Sequence, residues 1–560
     1  MSEATKAHQA YRDAGWWRDA TFVDDLRRHA TERPGKTAVI GHDPATGRTT
    51  AVSYAELSRA TERMAHGLLD LGVRRGECIA VLLPDDWEML PLTLACIRAG
   101  VRIAPIPPAY GRAQLANALR STGARLLVTA PEVDGTPHAE LALALSRDIG
   151  LPEQVVVLGD DRPPGTLSFA ERFMADRDGG DDDDRPGAEL TGPGLGPDEP
   201  FLLLFTSGTT GTTKMPVHSQ STLHAEIRGY AEALGFDGTL VNMTAHSNMY
   251  RAGLVTRLLC ALVLGGTSVC MDSWDPAACV RLIARHGVTT FYGSPAFVRE
   301  LLAAARDHPL EGSSLASVVS GSAPVPPQLI DEVRQTLGVR MFALWGMSEN
   351  GAVTCTRWDD PEDWPAHSDG RPTGGMEVRI DPLPGLDDGT GALWVRGPTQ
   401  CLGYHGQDDV YAAELDDDGW FSTGDLARDD GRGGIRLTGR AKDIIIHRCS
   451  NVPVAEVEAV LDEHPRVGAV ALIGIPDPAV DERVCAVVTA AGERPPTIEE
   501  LREHLRDAGI SDWCWPEQLE VVDAMPRTPM GKVRKVELRA RYAAEATGSG
   551  SGAGAGRVGV

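Results

Sequence analysis

Over the first 320 residues, short apolar runs alternate with amphipathic ones, and this alternation restricts the chain to few architectures. CIAVLL (78–83), WEMLPLTLACIRAG (87–100) and VRIAPIP (101–107) read as strand, helix and strand. RLLVTA (125–130), QVVVLG (154–159), TSVCMD (267–272), VTTFYG (288–293) and LASVVSG (315–321) continue the series. Strands this continuously apolar are covered on both faces, which predicts an α/β fold of parallel sheets flanked by helices. Ligands in such folds sit beyond the carboxyl ends of strands, so the residues that follow each run are the first candidates for function. Ser53-Tyr54-Ala55-Glu56 has the form of a capping box, opening a helix with the apolar stripe Leu57, Ala60, Met64 and Leu68.

After Asp443 the pattern changes to short strands, AVALIGI (469–475) and RVCAVVTA (483–490), around a helix at 497–508. This predicts a large N-terminal domain of βα-layered sheets, 1–441, a small α+β domain, 442–545, and a disordered glycine-rich tail, 546–560. The acidic, Gly/Pro-rich stretch 177–200 reads as a solvated linker. Its four consecutive aspartates lack the spaced ligands of a calcium loop.

A formal net charge of −25 argues against nucleic acid or an anionic membrane as partner. Ten scattered cysteines without a C-x-x-C pair suggest neither a zinc site nor a disulfide framework, and fit a reducing cytoplasm. The N-terminus has no apolar signal core. The most apolar stretch, 258–271, is short and broken by Gly265-Gly266, so it reads as a buried helix followed by a strand.

The chemistry-bearing segments follow strands. After FLLLF (201–205) comes TSGTTGTTK: Thr206, Ser207, Gly208, Thr209, Thr210, Gly211 and, at its end, Lys214. Hydroxyls and flexible backbone N–H groups can wrap a phosphate while the lysine adds charge; the spacing is not that of a Walker A loop. Trp345, Gly346, Met347, Ser348 and Glu349 end another apolar run and offer a carboxylate for Mg2+. Asp425, after WFSTG, suits ribose hydroxyls. GRAKD (439–443) and PRTPMGK (526–532) follow. Lysines number only six against 48 arginines, and Lys214, Lys442 and Lys532 all fall in these segments, where a compact ammonium differs from a planar guanidinium.

In this order and spacing the segments resemble the adenylate-forming superfamily of acyl- and aryl-CoA synthetases, luciferases and adenylation domains, from about Tyr54 to Arg539. GALWVRGP (391–398) and GYHG (403–406) match as well, and the likeness is nearest to small cyclic-acid CoA ligases. The resemblance implies a mobile C-terminal domain and two half-reactions. An acid attacks the α-phosphate of ATP, giving an acyl-adenylate and pyrophosphate; a nucleophile, often the thiol of CoA, then displaces AMP.

By motif position, residues 206–214 would hold the β- and γ-phosphates, Glu349 with Thr206 would bind Mg2+, and Asp425 the ribose with Arg440 beside it. Lys532 would be the adenylation lysine, stabilising charge as the transition state forms, and Lys442 the hinge. His246 matches the gate near the acyl carboxylate. Gly293-Ser294 and Ser320-Gly321 would form walls of the acid pocket, with Ser322, Ala323 and Pro324 at the adenine. Asn248, Met249 and Arg251 replace the small or apolar residues usual there, which favours a compact acid with polar substituents; Arg251 reads equally as a structural cation paired elsewhere.

The family carries two glycines where this chain has Arg448 and Cys449, on the loop that lines the thiol tunnel, which puts CoA transfer in doubt. The expected activity is an aryl or cyclic carboxylate-CoA ligase of secondary metabolism. One alternative is an ATP-dependent diazotase that adenylates nitrite and diazotises an aryl amine. Carrier-protein loading and amide formation are others, and a nucleotide-binding pseudo-enzyme is the reading from outside catalysis. Self-association as a homodimer is left open.

Overall fold

The computed structural model describes residues 3–175, 193–206, 214–310, 312–323, 325–383, 389–441, 445–447, 450–452, 454–477, 481–528 and 531–548. The chain forms two compact units, Met1–Glu377 with Arg396–Gly419, and Val378–Val395 with Trp420–Val560.

The first unit holds two sheets. In the nine-stranded one, six neighbours run parallel: Thr37–His42, Thr267–Met271, Val241–Thr244, Thr290–Gly293, Ser317–Ser320 and Arg340–Met347. Antiparallel strands close both edges, Thr49–Ser53 on one side and Gly351–Cys355 then Arg371–Pro372 on the other. The eight-stranded sheet carries Cys78–Leu82, Arg102–Pro105, Leu126–Thr129 and Gln154–Val157 in parallel, with Leu202–Leu203, Pro216–His218 and Gly403–Tyr404 towards one edge. The apolar runs of the sequence are therefore the strands, as their double-sided burial requires.

A central core takes residues from both sheets and from the helices Tyr54–Asp70, Met89–Ala99 and Gln220–Leu234. Further helices cover the outer faces: Val280, Leu301 and Val333 pack on the nine-stranded sheet, Leu119 and Leu145 on the eight-stranded one. The helix Tyr54–Asp70 starts at the capping box, with Ser53 and Glu56 bonding each other's backbone N–H groups, and its stripe is buried. The stretch 258–271 is a buried helix followed by a strand, as its sequence suggested, but the helix is not α-helical throughout. It continues a π-wound segment, Ala252–Leu259, then an α-helical turn, Cys260–Leu264, before the strand Thr267–Met271. The Asn242 amide donates to the carbonyls of Thr256 (2.8 Å) and Arg257 (3.2 Å). Among the described residues no helix is long and apolar enough to cross a membrane.

The second unit begins with a four-stranded sheet, Glu377–Pro382, Gly391–Arg396, Phe421–Asp429 and Ile435–Arg440. Its other sheet centres on the pair Val467–Asp477 and Asp481–Ala490. Val457, Leu461, Leu501 and Leu505 of two helices share a core with one set of these strand residues, and Leu538 and Tyr542 share another with Ile473 and Val487. Lys442, where the sequence suggested a hinge, lies outside the described residues. So do Ser207, Gly208, Thr209, Thr210, Gly211, Pro324, Arg448 and Cys449.

Candidate active site

Four adjacent parallel strands, ending at Thr244, Gly293, Ser320 and Met347, deliver His246, Ser294, Ser322 and Glu349 to one edge of one sheet. His246 is buried, its ring 4.9 Å from Tyr292 and 5.7 Å from Phe297, centre to centre. The neighbouring hydroxyls of Ser294 and Ser320 are buried without a protein hydrogen-bond partner. Ser294 sits at the N-terminus of the helix Pro295–Asp307 yet does not cap it, so the hydroxyl is not spent on the backbone. Ser322 adopts φ +69° and interacts with the Tyr292 hydroxyl. Ala323 is exposed, whereas Trp345 is buried in the strand Arg340–Met347.

Glu349 is buried, and desolvation raises its pKa above the usual carboxylate value. The Tyr404 hydroxyl donates to its Oε1 at 3.1 Å, and the Cys401 N–H to its carbonyl at 2.7 Å. The Lys214 ammonium lies 5.2 Å from the centre of the Tyr404 ring and pairs with Glu414. Thr206 donates from both its N–H (3.1 Å) and its hydroxyl (3.2 Å) to the Lys214 carbonyl, tying together the two residues that flank 207–213. Met215, which follows Lys214, is packed into the core.

Arg251 turns out to be fully engaged. Its guanidinium makes a buried ion pair with Glu226, and Nη1 donates to the Ser348 carbonyl and lies against His218 Nε2, itself 2.8 Å from that carbonyl. Of the two readings the sequence left open, this geometry favours the structural cation over the substrate ligand. His218, fully buried beside that cation, has its pKa held well below normal, by burial first and then by Arg251. Asn248 and Met249 are also buried: Asn248 Oδ1 accepts from Arg257 Nη2 at 2.5 Å, and Met249 joins the central core. Sequence reasoning missed Glu226. The available signal was its place on the buried stripe Leu223, Ile227 and Tyr230 of its helix, where an unpaired carboxylate is costly.

In the second unit Asp425 and Arg440 face each other in register, Arg440 Nε 2.8 Å from Asp425 Oδ1, and the Asp425 N–H donates to Thr423 Oγ1 at 3.0 Å. Lys532 is exposed on a tight turn in which the Thr528 N–H donates to its carbonyl (2.7 Å) and its own N–H to Thr528 Oγ1 (3.1 Å).

Residues 26–405 match the family of AMP-binding enzymes, and residues 456–532 match the AMP-binding enzyme C-terminal domain. The chain belongs to the AMP-binding enzymes. It is an adenylate-forming ligase that uses ATP with Mg2+. It is 30% identical to a salicyl-AMP ligase / salicyl-S-ArCP synthetase of Mycobacterium tuberculosis, over 96% of this chain and 94% of that one. To a salicylyl-CoA synthase / salicylate adenylyltransferase of a Streptomyces species it is 29% identical, over 95% and 96%. Among solved structures, ATP-bound MatB from Rhodopseudomonas palustris superposes with a TM-score of 0.80 at 27% identity, covering 93% of this chain and 99% of that one.

The residues fit such a metal. Glu349 is a buried hard-oxygen donor, and among the described residues no group of three or more His, Cys, Asp or Glu forms a cage. Mg2+ is commonly held in this way, by one or two carboxylates and by substrate phosphates.

Proposed function

We propose that the enzyme activates a small aryl or alicyclic carboxylic acid as its adenylate and passes the acyl group to a thiol, CoA being the acceptor. The observation that carries this reading is the aromatic cluster of His246, Tyr292 and Phe297, beside the unpartnered hydroxyls of Ser294 and Ser320. Flat rings stack well on such a wall, and buried hydroxyls without partners favour a ligand with polar groups. The relatives named for salicylate support the same class of acid.

In the first step a carboxylate oxygen bonds to the α-phosphorus of ATP while the bond to the pyrophosphate oxygen breaks. Residues 206–214 with Lys214 bind the β- and γ-phosphates, and Asp425 with Arg440 the ribose. Ser322, Ala323, Pro324 and the segment 345–348 flank the base. Lys532 stabilises negative charge on the α-phosphate and carboxylate oxygens as the transition state forms. Glu349 and Thr206 would hold Mg2+, which when bound neutralises phosphate charge. In the second step the acceptor sulfur bonds to the acyl carbon and AMP departs. Lys442 is assigned to the pivot between the two steps.

The test is AMP release with ATP, Mg2+ and a panel of benzoic, cinnamic and alicyclic acids, amino-substituted ones included, each with CoA, with nitrite and with neither, followed by mass spectrometry. A thioester whose formation requires an aryl acid and CoA is the expected result. Turnover that ignores CoA and requires nitrite with an aryl amine would replace this reading by a diazotase. ATP binding without AMP release under any condition would leave a pseudo-enzyme.

A further inference from the structure

We propose that Arg251 is a positioning residue for the metal: through Glu226, His218 and the Ser348 carbonyl it fixes the turn that carries Glu349. The proposal rests on the reading of Glu349 as the Mg2+ carboxylate.

The turn joins the strands Arg340–Met347 and Gly351–Cys355, and three contacts lock it from one side. Arg251 Nη1 donates to the Ser348 carbonyl at 3.1 Å, one residue before Glu349. Glu226 Oε1 accepts the Ala352 N–H at 2.9 Å, three residues after it. Between them Gly351 has φ +63°, and a Cβ there would run into the Arg251 guanidinium and the Glu226 carboxylate. The turn is thus moulded onto the ion pair.

The network is closed at its far end. His218 Nδ1 lies 3.1 Å from Thr222 Oγ1, which itself donates to the Ser219 carbonyl at 2.9 Å, and His218 Nε2 lies against Arg251 Nη1 and 2.8 Å from the Ser348 carbonyl. Arg251 and Glu226 are 7% and 4% exposed, which leaves little room for either to reorient. A planar guanidinium can serve a carboxylate, an imidazole and a carbonyl together; an ammonium cannot span the three. The outer partners of a metal ligand hold it in the orientation that binding needs.

Mn2+ is the probe, its binding followed by electron paramagnetic resonance in the presence of an α,β-methylene analogue of ATP, alongside KM for the acid. Four proteins are compared: wild type, Arg251→Lys, Glu349→Gln, and the double variant Glu226→Gln/Arg251→Met, which removes both charges of the pair together and guards against misfolding. Circular dichroism and melting temperature report the fold. In both Arg251 variants Mn2+ affinity should fall about 10- to 100-fold with KM for the acid unchanged. Unchanged Mn2+ affinity in folded Arg251 variants, with a loss in Glu349→Gln, overturns the positioning role alone. A raised KM for the acid with Mn2+ affinity intact makes Arg251 a substrate ligand and overturns it too. Unchanged Mn2+ affinity in Glu349→Gln removes the metal reading itself, and the proposal with it.

Discussion

Two of the candidate functional groups are built on opposite principles. Glu349 is buried and braced by Tyr404, Cys401 and the Glu226–Arg251 pair behind its turn. Lys532 is exposed, on a turn held by local bonds: Thr528 with Lys532 on both sides, and Arg527 Nη1 to the Gly531 carbonyl at 2.6 Å. A carboxylate that must meet a cation in a dry corner needs its orientation fixed in advance. An ammonium that acts only as charge develops can stay in water until it is needed. Stability and chemistry are therefore coupled at Glu349 and separable at Lys532.

The largest effect that would break this contrast is at Glu226. Glu226→Ala leaves the Arg251 cation buried without its counter-charge, at a cost of about 3–5 kcal/mol of folding stability. Urea unfolding should record this loss. A loss below about 1 kcal/mol would mean that water reaches Arg251 and that the corner is not braced as argued. Lys532→Ala is the converse. Adenylation, read as acid-dependent pyrophosphate exchange, should fall about 10²- to 10³-fold, the scale of losing one charge-stabilising donor. Melting temperature and ATP binding should be nearly unchanged, because the side chain is exposed. A large drop in melting temperature would show that the loop is structural.

The sequence made one side of this contrast easier to see than the other. Parallel strands were readable because continuous apolar runs leave little choice, and the segments that follow them fell at the carboxyl edge as their order required. The pairing of Asp425 with Arg440 was also within reach, since the two stand in register on neighbouring antiparallel strands. The bracing of Glu349 was not. Glu226 and Arg251 are 25 residues apart, on a helix and at the start of a π-wound segment, and periodicity can mark a residue as buried without naming its partner. Arg251 therefore read equally as ligand or as structural cation. The π winding was hidden too, because its mainly apolar residues suit an α-helix as well.

Gly351→Ala sharpens the comparison at smaller scale. The left-handed backbone and the collision with the ion pair together should cost about 2–4 kcal/mol. The damage should appear at the turn first, as weakened Mn2+ binding at temperatures where the protein is still folded. Gly531→Ala, also at a positive φ (+82°) but on the turn that carries the exposed Lys532, should lower stability by about 1 kcal/mol, the cost of the backbone conformation. Equal losses at the two glycines would erase the distinction between a braced corner and an exposed turn.

The smallest effect concerns a second buried clamp, on the His246 loop. Asp85 Oδ1 accepts from Ser247 Oγ (3.0 Å) and from the Asn248 N–H (2.6 Å), with Arg257 Nη2 at 3.8 Å. Arg257 also donates to the Thr244 carbonyl at 3.2 Å. Burial raises the Asp85 pKa from the ordinary 3.8 to about 7, against the pull of Arg257 and of the two hydrogen bonds. A carboxyl whose folded pKa lies above its unfolded one binds its proton more tightly in the folded protein. Its contribution to stability is full below pH about 4 and is lost as pH rises through about 7. Asp85→Asn cannot ionise and can still accept from Ser247 and Asn248, so it should lose less stability between pH 5 and pH 8 than wild type, by on the order of 1 kcal/mol. Parallel stability curves over that range would mean that Asp85 is ionised throughout and that Arg257, rather than a proton, balances it. The His246 loop would then be held, like the Glu349 turn, by a permanent ion pair.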